Sequence, residues 1–439
     1  MQKRPTRMRV RRPLLVCALF SLAIAIALSA QTTPSALERY KELRAQLQKD
    51  HKQNDWKTDL EHAKELRLLL NASPRSLLEV ARAELKSGHE DEAWTEVERF
   101  LSMGQANDIL TAADFAGLQP STSHPDITAA MKKNLSAVGL SETAFVLSDA
   151  GLVAEDIDYD AAAKRFYLTS VLKKKIIAVD ANGNAKDFVE SPDHWPMLAL
   201  KLDTKRSLLW ATEVALDGFS AAPKSDWGHS AVLGYDLKTA KIRYRIPGPS
   251  PSALGDMALA ENGDPIVSDG QGGGIYRVHV EAGRLERIDG GDFISPQTGT
   301  LSSDGKRIFI PDYLRGIGAL DLATRQVTWL SGESHALDGV DGLYFANGVL
   351  LATQNGTSPE RVVALGMDGA GLKVVGEQVI ERATATLGDP THGVVVGSDF
   401  YYIANSGWDK LDDHGDLSPG QTHTPARIMR VSLSALHPN

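Results

Sequence analysis

The sequence predicts an all-β fold, a six-bladed β-propeller, preceded by a small α-helical region. Three observations predict it. The hydrophobic period changes from helical to alternating near Glu142. Beyond that point a strand–turn–strand unit recurs six times, at a spacing of roughly 40–60 residues. Glycine is frequent, 38 of 439 residues, and much of it sits in short turns, which favours β-structure over helix.

The elements follow in chain order. Six basic residues and no acidic one lie within Met1–Arg12, followed by an apolar run, Leu14–Leu28, and the small pair Ser29-Ala30. This three-part pattern predicts a secretory signal peptide over 1–30. The competing reading, a transmembrane anchor, needs ~20 apolar residues, more than this run supplies. Arg11-Arg12 permits a twin-arginine reading, but the flanking residues match it weakly. Cys17 is the one cysteine and lies inside the apolar run, so a processed chain has no disulfide and no thiol site. Loss of the leader takes the formal charge from −9 to −15. Such an acidic chain excludes non-specific nucleic-acid binding. No second apolar stretch is long enough to cross a membrane, and the expected location is periplasmic or secreted.

Residues 31–138 read as helical. Asn54-Asp55 can cap a helix running toward Leu70, and Ser73-Pro74 offers a cap with proline at the first helical position. Ala81, Leu85, Gly88, Ala93, Val97 and Leu101 recur at helical spacing, broken at Gly88-His89. The spacing resembles a tetratricopeptide (TPR-like) repeat, with small residues where helices pack closely. A plain helical hairpin packed on the propeller reads equally well. A TPR-like region implies a protein partner. Asp108–Lys133 adds short helices and a linker.

Residues 139–439 carry the propeller units: 157–180, 197–246, 256–288, 297–330, 341–379 and 389–433. Turns such as Glu261-Asn-Gly, Ser303-Asp-Gly-Lys and Ala346-Asn-Gly suit tight hairpins, which need positive φ. The sixth unit runs out of chain after Val431. The spare strand around Thr143–Leu147 is expected to complete it and close the ring, which removes exposed sheet edges.

In a propeller the first strand of each blade lines the central channel. The entry ends of these strands carry Glu155, the Trp195-Pro196 region, Gly255-Asp256, Pro296-Gln297, Asp341 and Thr391-His392. Converging carboxylates and an amide suit Ca²⁺ or another divalent cation, whose charge offsets their mutual repulsion. Asp389-Pro-Thr-His392-Gly supplies either a base or a surface histidine in a blade-entry turn. Asp269 and Asp312 each end a second strand and read as turn caps rather than ligands. Gly270–Gly274 is glycine-rich but precedes no helix, so it is no phosphate loop. No Gly-x-Ser-x-Gly, His-Glu-x-x-His or Walker pattern occurs.

These entry residues resemble the SMP-30/gluconolactonase/luciferin-regenerating-enzyme-like six-bladed propellers, over roughly residues 145–435. That family begins its first blade with a metal-binding Glu before Gly-Pro; Glu155-Asp156-Ile157 keeps the Glu. The family's Asn-Asp pair is Gly255-Asp256 here, its Asn-Gly-Leu is Gln297-Thr298-Gly299, and its Asp-Gly is Asp341-Gly342. The resemblance implies a Ca²⁺ held by Glu155, Asp256, Gln297 and Asp341. It also implies Asp341 as catalytic base of a lactone or ester hydrolase, and His392 nearby is the other candidate for activating water. The alternative is a non-catalytic propeller that binds a small molecule at its mouth and a protein through its helices.

Overall fold

The computed structural model describes residues 34–118 and 124–438. The signal peptide expected over 1–30 lies outside the described residues. Among them, no helix is long and apolar enough to cross a membrane.

The first 100 described residues are helical, for local reasons. Helix α1, Ala36–Gln53, opens on a capping box in which Ser35 and Glu38 satisfy each other's backbone amides, and closes on Asn54 in the left-handed region. Helix α2, Trp56–Leu69, is capped by Asp55, as its sequence suggested. Helix α3, Pro74–Lys86, begins with proline at its first turn. Helix α4, Glu90–Ser102, carries three acids in its first turn, which oppose the helix dipole favourably. Between α3 and α4 lies Gly88 at φ +84°. Ala81 and Ala93 are fully buried between these helices, so their small size permits the close approach. Helix α5, Ile127–Asn134, is capped by Asp126.

The remainder forms six sheets. Blades 1 to 4 each use four consecutive strands, beginning at Ala154, Met197, Leu254 and Thr300. Blade 5 begins at Val340 and gains a fifth strand, Val138–Gly139, which pairs with Glu381 and Arg382. That extra strand had no sequence signal. Blade 6 takes three strands from the C-terminus, and Glu142–Val146 supplies the fourth against Arg427–Ser432, with Glu142 opposite Arg430. The ring is therefore closed by both ends of the domain, as expected. Asn347 at φ 51° and Gly348 at φ 81° connect the paired residues Ala346 and Val349. Two positive φ values are what a twisted two-residue hairpin demands.

In blades 3, 4 and 6 a polar residue at or just beyond the end of the second strand ties the neighbouring loops to the blade. Asp269 Oδ1 accepts from the amides of Ala253, Gln271 and Gly272 at 2.9, 3.2 and 2.8 Å. Asp312 accepts from Ile294, Ser295, Leu314 and Arg315. Asn405 bridges Arg427 and Pro425. These residues are turn caps, because buried amides in irregular segments need an acceptor.

The helices dock on blades 4 and 5. Ile294 and Leu314 join the core of Leu43, Leu47, Leu66, Leu70 and Val80. Ala336 joins the core of Trp94, Val97 and Phe100. Polar ties cross the same seam: Ala36 N–H to Gly291 O at 2.9 Å, and Asn71 Nδ2 to Arg315 O at 3.0 Å. Arg361, with no exposed surface, lies under the seam. Its Nε donates to Gln354 Oε1 at 2.7 Å, its Nη1 to Glu377 Oε1 at 3.0 Å and to Met103 O at 3.4 Å, and its Nη2 to Ala336 O at 3.4 Å.

Candidate functional site: a carboxylate cluster in the channel

Each innermost strand carries one extra residue where it enters the channel. In blade 1, Ala154 pairs with Ser170 and Ile157 with Leu168, so Glu155 and Asp156 oppose Thr169 alone. The same two-against-one step falls at Leu198-Ala199 in blade 2, at Gly255 in blade 3 and at Asp341 in blade 5. In blade 4 it falls between the pairs Pro296–Asp312 and Thr300–Phe309, and so includes Gln297 and Thr298. Such bulges re-aim a side chain. They sort the entry residues into two tiers. Glu155 and Asp341 hold the first bulge position, and Asp156, Asp256 and Thr298 the second. His392 follows Thr391 in the matching place of blade 6. Second-strand hydroxyls hold the bulged backbone: Thr169 accepts from Asp156 N–H, Thr212 from Ala199 N–H and Thr353 from Gly342 N–H.

The inner tier is fully partnered. Asp156, without exposed surface, receives Lys201 Nζ at 2.8 Å and Leu200 N–H at 2.8 Å. His392, equally buried, places Nδ1 2.7 Å from Glu155 O and Nε2 3.0 Å from Asp256 Oδ1. A carbonyl and a carboxylate are both acceptors, so both ring nitrogens donate and the ring is an imidazolium. Asp256 Oδ1 also accepts from Thr298 Oγ1 at 2.8 Å. Burial acts to lower the His392 pKa, but Asp156, Asp256 and Asp341 override it and the pKa is raised well above the ordinary value.

The outer tier is not balanced. One oxygen of Glu155, one of Asp341 and one nitrogen of His392 all lie within 4.8 Å of one another. Trp408 Nε1 donates to Glu155 Oε2, and Asn355 Nδ2 donates to Asp341 Oδ2 at 3.0 Å. Asn355 Oδ1 is shielded from solvent and has no hydrogen-bond partner. Among Glu155, Asp156, Asp256, Asp341, Lys201 and His392, four carboxylates face two cations. Asp156 is matched by Lys201 and Asp256 by His392. The surplus rests on Glu155 and Asp341, and Asp389 beside Asp341 adds to it. A cavity of about 300 Å³ adjoins this tier and is lined by Asn355, Tyr313 and Gly356 from the propeller and by Arg75, Leu78 and Phe100 from the helices.

The four acidic and imidazole residues singled out in the sequence thus meet in one channel. Asp256 lies in the inner tier, tied to His392 and Thr298. Gln297 turns its amide back to Ser295, with Nε2 3.2 Å from both its carbonyl and its hydroxyl. Thr298, the next residue, reaches the cluster instead. Trp195 points away, stacking on His229 and donating to Asp226. Asn355, Asp156 and Lys201 were not anticipated. The available signal for Asn355 was its place just after the second strand of blade 5, in Thr353-Gln-Asn-Gly, the place that Asn405 holds in blade 6.

No protein-family model and no curated protein matches the chain. Solved structures similar to it include a gluconolactonase from Xanthomonas campestris, at 12% identity over 67% of this chain and 89% of that one, TM-score 0.45. A calcium-binding protein, regucalcin, from Agrobacterium tumefaciens is 16% identical over 68% and 95%, TM-score 0.43. An aldose sugar dehydrogenase from Streptomyces coelicolor is 15% identical over 68% and 98%, TM-score 0.46. The chain is a six-bladed propeller with gluconolactonase and regucalcin among its structural neighbours.

The outer tier makes stability depend on pH. Burial, with Asp256 and Asp389 nearby, raises the Asp341 pKa from 3.8 to about 7. Burial and the charge of Asp341 push Glu155 well up too. Each folded carboxyl therefore holds its proton where the unfolded chain has released it, so stability falls as pH rises from about 4 to about 7. His392 adds the same sign at higher pH, because its contribution is lost as pH climbs through its raised folded value. In chelator-treated protein the urea midpoint is expected to fall between about pH 5 and about pH 8, and Asp341→Asn to flatten that fall. A midpoint that rises with pH over this range contradicts the charge assignment.

Proposed function

We propose that this chain is an exported, divalent-cation-dependent hydrolase of lactones or small esters. The observation that carries the reading is the surplus charge on Glu155 and Asp341 beside the unpartnered oxygen of Asn355. Two carboxylates and an amide oxygen are hard donors and fit Ca²⁺ or a similar ion. The lactone class is what the motif resemblance implies. Glu155, Asp341 and Asn355 Oδ1 would hold the cation, and Asp256 would face the channel through Oδ2. A cation bound there supplies Lewis-acid polarisation of an ester carbonyl.

The chain's own residues do the rest. Asp341 is the general base that takes a proton from water, since it is buried and its proton affinity suits neutral pH. His392 is a positioning residue, because both of its nitrogens already donate and it has no lone pair left to accept a proton. Trp408 fixes Glu155, and Asn355 fixes Asp341. The cavity of about 300 Å³, which reaches the site through Asn355, receives the body of the substrate. The same cavity would serve a non-catalytic propeller that retains a small molecule, with the helices engaging a protein partner.

Metal content separates the two readings. Elemental analysis of the purified mature protein, before and after chelator dialysis, is expected to give about one divalent ion per chain, lost in the Glu155→Ala/Asp341→Ala double variant. A wild-type protein that takes up no divalent ion while natively folded removes the hydrolase reading and leaves the binding one.

A further inference from the structure

A second cavity lies on the seam between helices and propeller, next to the first, with which it shares Pro74 and Asp338, and none of the channel carboxylates lines it. Its volume is about 270 Å³, and it is lined by Arg99 of α4, the Asn71–Pro74 connection, Arg315, Trp329, His335 and Asp338. Its lining carries Arg99, Arg315 and His335 beside Glu333 and Asp338. Among the described residues, neither Arg315 nor Arg99 has a carboxylate within ion-pair distance. The guanidinium carbon of Arg315 lies over Trp329, 4.2 Å from the ring centre, and one of its terminal nitrogens donates to the carbonyl of Asp292. Its Nε is buried without a partner. Burial lowers its pKa, against the opposing pull of Asp312 and Asp292.

None of the acids around the cavity closes on Arg315: the oxygens of Asp312 are taken by the amides of Ile294, Ser295, Leu314 and Arg315. Glu333 is exposed at the rim. Asp338 faces Arg75 at 3.6 Å, and its Oδ1 is itself buried and unpartnered. His335 faces Glu377, at 3.6 Å. The first turn of α3, whose Ser73 makes no side-chain cap, opens on the same cavity. Buried charges in folded proteins are normally paired. A guanidinium offers a planar fork of donors that matches an oxyanion. A helix N-terminus adds a favourable dipole for negative charge.

We propose that this cavity binds the carboxylate or phosphate group of a small molecule between Arg315 and Arg99. The ligand bridges α4 and blade 4, so its binding fastens the helical region to the propeller. The site is independent of the channel cation and of any hydrolysis.

The test is isothermal titration calorimetry on the full chain, with succinate and inorganic phosphate as separate probes. One of them is expected to bind at one site per chain, and the one that binds identifies the group. Arg315→Gln and Arg99→Gln are each expected to weaken binding at least about tenfold, with Arg284→Gln, on an exposed hairpin, as the unchanged control. The bound anion is expected to raise the melting temperature of wild type and not of Arg315→Gln. Absence of heat from both probes up to about 10 mM overturns the proposal. So does unchanged affinity in both arginine variants. If Arg315→Gln melts early in anion-free buffer, Arg99→Gln, which removes only one partly exposed side chain of α4, decides.

Discussion

Asp341→Asn is expected to lower lactone or ester turnover by about 10²–10⁴-fold, the range a positioned general base contributes, and to weaken divalent-cation binding in parallel. The two losses share one cause. Asn keeps the shape and the neighbour Asn355, but it carries no charge and accepts no proton. The folded state should tolerate the change, because Asp341 is one half of an unbalanced pair and its ionised form is costly when the cation is absent. Titration of cation affinity beside steady-state kinetics, with the unfolding midpoint as control, checks this. Full activity in a natively folded Asp341→Asn protein would rule out Asp341 as the base. His392→Asn provides the contrast. It should lower activity by misplacing Glu155 and Asp256, while the pH dependence that remains still belongs to Asp341.

The second large effect lies far from the channel. Arg361→Met is expected to destabilise the protein by about 3–5 kcal/mol, the cost of breaking a buried ion pair from one side. Glu377, now held low chiefly by Arg361 against the effect of burial, would be left with only His335, 3.6 Å away, to offset its buried charge. Gln354 Oε1, Met103 O and Ala336 O lose a donor at the same time. Since Met103 follows α4 and Ala336 lies in a propeller loop, the damage should centre on the seam between helices and blades. Limited proteolysis should then cut between α4 and α5 before it cuts any blade. Unfolding at the wild-type midpoint would show that the seam is held by its apolar contacts alone. Replacing both Arg361 and Glu377 by apolar residues should recover much of the loss.

Much of the fold was legible because its signals are local. Alternation of apolar residues, Asn-Gly turns and the caps at Asp55 and Ser73 act within a few residues of themselves. Even ring closure could be read, since a sixth unit one strand short and a spare strand near Thr143 leave a single economical pairing. Asp269 and Asp312 could be separated from ligands because the same feature repeats from blade to blade. The strand Val138–Gly139 could not be read, because two residues have no period.

The sequence by itself determined the class of the molecule, the number of blades and the identity of the channel-entry residues Glu155, Asp256, Asp341 and His392. Only the tertiary structure decided which of them face one another. The reason is the bulge: one extra residue per innermost strand shifts each side chain by a place, so neighbours such as Glu155 and Asp156, or Gln297 and Thr298, exchange roles without any change in composition. Charge balance is equally non-local. Lys201 and Asp156 are 45 residues apart, His392 and Asp256 are 136 apart, and only their meeting leaves Glu155 and Asp341 as the unpaired carboxylates.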